Sequence, residues 1–316
     1  MFCIILESTD PFFNLAIEEF LLKNRKEEYL ILGINSPSVI IGKHQSAHRE
    51  VNNRFTDENN IPVIRRISGG GAVFHDQGNL NFTFIRQSEA GRQVDFRKYT
   101  LPVIEFLASF GVQAKFEEKN DIKVDGLKIS GNAEHVSGNR VLHHGTLLFN
   151  TSLDLMRKAL KQDASCYNSR AVESNRSSVT NLKEILKRYQ DIYEFRSEMM
   201  KFFLNKMPYM VTYKLSESEI KEAELLAISK YKTWEWNFAY GPEYSYKNSF
   251  KINGKIHHCR LFVKDGIIGE CSIRGSDQLI LVSKKLIGCK HMVPDIRKVL
   301  EEEKINITAG EIYYFF

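Results

Sequence analysis

A chain of 316 residues is long enough for one large domain or for a large domain with an appendage, and its 43% hydrophobic and 26% charged residues are ordinary for a globular protein. Its apolar runs are only a few residues long, which excludes a helix that crosses a bilayer. The formal charge of +5 is spread over interleaved basic and acidic residues, so it gives no nucleic-acid footprint and leaves room for an anionic cofactor or an acidic protein partner.

Asp10-Pro11 opens a helix through Leu22, with Asp10 as cap, Pro11 at the first position, and Phe13, Ile17, Phe20 and Leu21 facing inward. Leu30-Ile31-Leu32 and Val39-Ile40-Ile41, bounded by Gly33, Pro37 and Gly42, read as buried strands. Val63 to Ile67 is a strand that runs into three consecutive glycines. Asn79 to Ile85 alternates Leu80, Phe82 and Phe84 with polar residues, the pattern of a half-buried strand. Thr100 to Phe110 is helical in period and stops at Gly111. Ser152 to Leu160, most of Glu184 to Met207, and Ser218 to Ser229 are further helical stretches. Gly241-Pro242-Glu243 then punctuates the chain. Beyond it, Lys251-Ile252 and His257 to Lys264 flank an Asn253-Gly254 hairpin signal, and Asp265-Gly266 turns into Ile267-Ile268. Pro294 to Glu303 is helical. A first domain over 1–245 and a small second one over 246–316 are therefore expected.

Three segments carry chemistry. In Arg65-Arg66-Ile67-Ser68-Gly69-Gly70-Gly71-Ala72-Val73-Phe74-His75-Asp76 the glycines let backbone N–H groups turn toward an anion, and arginine supplies a planar fork suited to phosphate oxygens. No Gly-Lys-Ser/Thr follows, and the Gly-x-Gly-x-x-Gly spacing is absent. In Asn120 to Ala133, Asp125-Gly126 signals a two-residue type I′ hairpin. That register sets Lys123 opposite Lys128, Ile122 opposite Ile129 and Asp121 opposite Ser130, with Asp121 and Lys128 as diagonal neighbours on a polar face. Such a face suits a metal-bound nucleotide, with Asp121 on Mg²⁺ and a lysine on a phosphate or activated acyl group; it equally suits a solvated edge. In His143-His144-Gly145-Thr146-Leu147, adjacent histidines point to opposite faces of a strand, which argues against a shared metal, and Gly145 admits a close backbone approach to a ligand. His257-His258 falls under the same argument. The five cysteines contain no Cys-x-x-Cys, and the amino terminus lacks a basic region and a cleavage site, so a reducing cytoplasm is expected.

These segments stand in an order that resembles the lipoate–protein ligase A family. The resemblance begins at Asp10 to Glu19, continues through Pro37 to Gln45, Arg65 to Asn79, Asn120 to Ala133, His143 to Phe149 and Ser178-Val179-Thr180-Asn181-Leu182, and reaches Trp234-Glu235-Trp236-Asn237. It covers nearly the whole chain. It implies an α+β fold: a catalytic domain like those of biotin protein ligases and class II aminoacyl-tRNA synthetases, with a mixed sheet flanked by helices, and a small α+β C-terminal accessory domain.

The activity implied has two steps. Lipoate is activated by ATP to lipoyl-AMP, and the lipoyl group passes to a lysine of acceptor domains, the E2 subunits of 2-oxoacid dehydrogenases and the H protein of glycine cleavage. By the same resemblance Lys128 is the catalytic lysine; Arg66, Gly71, Ala72, Val73 and Phe74 contact the nucleotide with Lys128 and Asp121; and Asp121 holds Mg²⁺. Gly70, Gly71, Lys128, His144 and Gly145 contact lipoate, while apolar residues near the glycines and Leu147 line the acyl tunnel. A monomer that binds neither nucleic acid nor membrane is expected. The segment Ala171 to Ser178 follows the family's Ser-Val-Arg-Ser-Arg pattern only loosely, keeping Arg176 and placing serine at another basic position. Transferases of the same fold offer the rival reading. Some carry the acyl group as a cysteine thioester, for which Cys166 stands twenty-one residues after Gly145; others take a pre-formed lipoyl-AMP.

Overall fold

The computed structural model describes residues 1–88, 94–117, 119–175, 177–252 and 254–316; Arg176 and Asn253 lie outside them. An eight-stranded mixed sheet runs in the order Val211–Thr212, Phe2–Ile5, Tyr29–Ile34, Asn79–Gln87, Arg140–Leu148, Leu127–Ser137, Asp121–Val124, Lys115–Glu117. Its first three strands are parallel and the rest pair antiparallel. Every residue of Tyr29–Ile34 is buried, because the sheet is covered on both faces. Leu30 and Leu32 pack on one side with the helices Phe96–Ala108 and Ile192–Lys206, while Tyr29 and Ile31 pack on the other with Pro11–Asn24. Asp10 caps that last helix by accepting from the Phe12 N–H at 2.9 Å, as its Asp-Pro start predicts.

A three-stranded sheet, Val63–Arg65, Ser38–Ile41 and Val73–His75, lies on the Ile31 side and has a small core of its own. A further sheet holds Tyr167–Ser169, Tyr244–Ile252, Lys255–Lys264 and Ile267–Arg274 around another core. The strand at Tyr244 starts ahead of residue 246, and Tyr167–Ser169 joins this sheet from the middle of the chain.

Several expected elements shift. The stretch 184–207 breaks into Leu182–Ile185 and Ile192–Lys206, where Asp191 caps the second helix. Asp277–Leu286 is a helix capped by Ser276, although Leu279-Ile280-Leu281-Val282 carries no helical period of its own. The Asp125-Gly126 turn has φ of +49° and +77°, both positive as type I′ requires. Beyond Lys123–Lys128, however, a bulge pairs Ile122 with Ser130 and Asp121 with Gly131, not with Ile129 and Ser130. Ile129 is the extra residue, turned into the main core.

Candidate active site

A cavity of about 350 Å³ lies between the large sheet, the helix Pro11–Asn24 and the glycine loop. The loop's conformation is fixed from beneath. Gly70 has φ +86°, which only glycine adopts cheaply, and its carbonyl sits where a Cβ on Gly42 would stand, 2.0 Å away. Gly42→Ala must therefore push the loop off its seat. We expect a stability loss of about 2 kcal/mol and a fall in ligand affinity, read by chemical denaturation and titration.

Both arginines turn inward and donate mainly to backbone carbonyls of the protein itself. Arg65 is fully buried, and its guanidinium donates to the carbonyls of Trp236, Gly42, Lys43, Gln45 and Asn237. Arg66 donates to Ser68 Oγ at 2.9 Å, to the Ile40 carbonyl at 3.2 Å, and to the carbonyls of Gly69 and Gly71, so it braces the loop while lining the cavity. Burial pulls both guanidinium pKa values down to about 10, which leaves them charged at neutral pH. The Ala72 N–H donates to Ser174 Oγ at 2.8 Å, and that hydroxyl bonds in turn to Glu50. Val172 to Asn175 thus lie against the loop and line the cavity beside Gly70, Gly71, Ala72 and Val73. Phe74 does not line it: strand alternation sends its ring into the small core below the loop, while Val73 and His75 face the cavity.

At the opposite wall Lys128 Nζ lies 2.9 Å from Asp121 Oδ1 and stands over Gly131, whose missing Cβ leaves the ammonium room. The bulge brings this pair into direct contact. The Ser178-Val179-Thr180 segment fixes the lysine's backbone, since Lys128 N–H donates to the Ser178 carbonyl and Thr180 N–H donates back to Lys128. The Asn181 side-chain amide then ties the segment to Thr151, accepting from its N–H and donating to its carbonyl. Asp121 is buried, and Ser177 Oγ is its other neighbour at 3.5 Å.

The two histidines face opposite ways, as adjacency predicts. His143 packs against Tyr99 and bonds Glu134, and burial lowers its pKa. His144 faces the cavity, with Nε2 2.6 Å from Ser68 Oγ and Nδ1 3.0 Å from Glu18 Oε2. Glu18 Oε1 also accepts from Thr83, which links the helix, the sheet and the loop through Arg66. Gly145 lines the cavity and also serves packing: a Cβ there would stand 2.1 Å from Asn132 Oδ1 and 2.3 Å from Phe82. Leu147 is fully buried in the main core, on the sheet face turned away from the cavity, so it is no part of an acyl tunnel. Cys166 also lies outside the cavity, packed against the core of the C-terminal sheet.

Sequence reasoning missed Asn14, Glu18, Asn35 and Ser174. The one available signal is the i, i+4 pair Asn14 and Glu18 in the buried and mainly apolar first three turns of its helix.

The fold and the cavity define an α+β domain built to hold an anionic group and an apolar chain in one cleft. A family model described as lipoyl protein ligase A/B catalytic domain matches residues 10–204. Lipoate–protein ligase 1 of Staphylococcus aureus is 38% identical over 310 residues, which cover 96% of this chain and 94% of that protein. Two solved structures, a protein of T. acidophilum with bound lipoic acid and a lipoate-protein ligase A bound with ATP, are each 28% identical. The first has a TM-score of 0.65 over 75% of this chain and 98% of its own. The second has 0.64 over 75% and 97%. The chain belongs to the lipoate–protein ligase family.

Proposed function

We infer that this protein activates lipoate with ATP and transfers the lipoyl group to a lysine of an acceptor protein. In the first step a lipoate carboxylate oxygen attacks the α-phosphorus of ATP, and the bond to pyrophosphate breaks. In the second, the acceptor's amine attacks the acyl carbon, AMP leaves, and the amine gives up a proton. The observation that carries the reading is the Lys128–Asp121 pair, facing the glycine loop across the cavity of a chain in this family. We assign Lys128 to the oxygens that gain charge in both steps, where a fixed cation lowers the barrier. Gly70 to Val73 are assigned to the adenylate and Arg66 to holding them in place.

Among the described residues no group of three or more His, Cys, Asp or Glu could hold a metal. Mg²⁺, however, commonly takes only one or two carboxylates plus substrate phosphates, and Asp121 supplies one. It would hold the ion against the phosphates, and the ion would neutralise their charge. Cys166 lies outside the cavity, which supports the ligase over a thioester transferase. We take the accessory unit to be the sheet that begins at Tyr244, tied to the catalytic part through Tyr167–Ser169. Acceptors are assigned as lipoyl domains of E2 subunits and the H protein. The five free cysteines suit a reducing cytoplasm, and no described helix is long and apolar enough to cross a membrane.

The expected result is lipoate-dependent ATP–pyrophosphate exchange by the purified chain, unaffected by Cys166→Ala. Absence of exchange, with lipoyl transfer only from added lipoyl-AMP, would remove the first step from this protein.

A further inference from the structure

Two buried polar atoms of cavity-lining residues, His75 Nε2 and Asn14 Oδ1, have no partner among the described residues, and the proton of the first can be located. Asn14 Nδ2 lies 2.9 Å from the Ser8 carbonyl and 2.7 Å from Asn35 Oδ1. A carbonyl only accepts, so the nitrogen of Asn14 faces it and the oxygen of Asn35 faces Asn14. Asn35 therefore turns its own NH₂ toward His75 Nδ1, 2.9 Å away. That nitrogen must accept, which puts the ring proton on Nε2. Burial, with the charge of Arg66 beside it, pulls the His75 pKa down to about 3, so the ring is neutral. Its Nε2–H is buried, lines the cavity and is unbonded; Asn14 Oδ1, likewise buried, has no partner either. A relay of three side chains, anchored on a backbone carbonyl, thus holds one N–H donor toward the ligand space.

Sheet register locates this donor relative to Lys128. Gly33 pairs with Asn81, Asn81 with Thr146, and Thr146 Oγ1 accepts from the Gly131 N–H beneath the lysine. Three strand spacings separate Gly33 from Gly131, roughly 14 Å. Asn35 follows two residues after Gly33, so His75 stands at the end of the cavity remote from Lys128. A medium-chain acyl group with its carboxylate at Lys128 reaches that end with its tail. An unsubstituted tail has nothing to accept a hydrogen bond, whereas a dithiolane ring has two sulfur atoms, which are weak acceptors.

We propose that His75 Nε2–H donates to a dithiolane sulfur and so selects lipoate over an unbranched fatty acid of the same length. His75 is then a specificity-determining residue of the site assigned above, and the proposal rests on that assignment. With a fatty acid bound, the donor stays buried and unpaired, a penalty that lipoate escapes.

The test compares lipoate with octanoate in ATP–pyrophosphate exchange and in direct calorimetric binding, for the wild type, His75→Phe and His75→Gln. His75→Phe removes the donor and keeps a ring of similar size; His75→Gln returns an amide N–H near the Nε2 position. His75→Phe is expected to lower the lipoate-to-octanoate ratio of kcat/KM about tenfold, by weakening lipoate and improving octanoate, and His75→Gln is expected to restore much of it. An equal loss for both acids, or an unchanged ratio, overturns the proposal, because a packing role or a trapped water bridging His75 and Asn14 would not tell the acids apart. Octanoate improving alone in His75→Phe, with lipoate affinity unchanged, overturns it too. If the wild type neither binds nor activates lipoate, it is the functional assignment that fails.

Discussion

Lys128→Met is expected to slow lipoate-dependent pyrophosphate exchange by a hundredfold or more, the usual scale for removing a preorganised charge aimed at developing oxyanions. The substitution does two separate things. It removes the ammonium above Gly131, and it leaves Asp121, 5% exposed at its side chain, without its cation. Stranding one partner of a largely buried pair costs about 3 kcal/mol or more in its own right. A single variant therefore confounds folding with catalysis, and the double variant Lys128→Met with Asp121→Asn separates them. Neutralising the carboxylate removes the stranded charge, so the double variant should regain most of the lost stability and none of the lost exchange. If exchange returned with stability, the lysine would be a structural partner and the charge at the reacting atoms would have to come from elsewhere. A second comparison sharpens the point. Lys128→Arg keeps the charge, but its planar fork cannot occupy the point above Gly131, where an added Cβ would already lie 3.1 Å from Lys128 Nζ. It should remain nearly as slow as Lys128→Met.

How much of this site could be read in the sequence depends on whether each signal was local. The glycine loop was legible because positive φ at Gly70 and the close seat on Gly42 leave glycine the cheap residue there. The turn at Asp125-Gly126 was legible for the same reason. The register beyond it was not, because a bulge inserts one residue without disturbing the alternation on either side. Phe74 and Leu147 rest in the cores and not on the cavity, for one reason. Neighbours along a strand face opposite ways, so a motif shared along a strand places only half of its side chains in the cavity. The relay through Asn14, Asn35 and His75 was out of reach, since it joins three elements brought together only by the packing of the helix, the large sheet and the loop. The helix Asp277–Leu286 is not legible in the sequence, because its apolar run fits a strand as well as a helix.

The arginine pair is the residue type whose chemistry the sequence indicated and whose direction it did not. Two successive arginines before glycines suggest phosphate, yet Arg65 spends all five of its hydrogen bonds on backbone carbonyls. Three of those carbonyls belong to Gly42, Lys43 and Gln45, beneath the glycine loop, and two to Trp236 and Asn237. Trp236 Nε1 and Asn237 Oδ1 return bonds to the Arg65 backbone. Arg65 therefore joins the loop's seat to the segment that leads into the C-terminal sheet. Arg65→Met keeps most of the side chain's volume but takes the guanidinium donor from five backbone carbonyls, of which that of Gly42 keeps a second donor, the Gln45 N–H, so it should cost about 3–5 kcal/mol. Unlike most stability variants, it should also weaken nucleotide binding, because the Gly42 to Gln45 turn carries the carbonyl contact that seats Gly70. Arg65→Lys should recover only part of this, since one ammonium with three donors cannot span two segments. Denaturant unfolding and hydrogen exchange read both effects together. Exchange should quicken at Gly42 to Gln45 and at Trp236 and Asn237, and remain slow in the core of the large sheet. Unchanged stability in Arg65→Met, or uniform loosening across the whole sheet, would deny the arginine this bridging role.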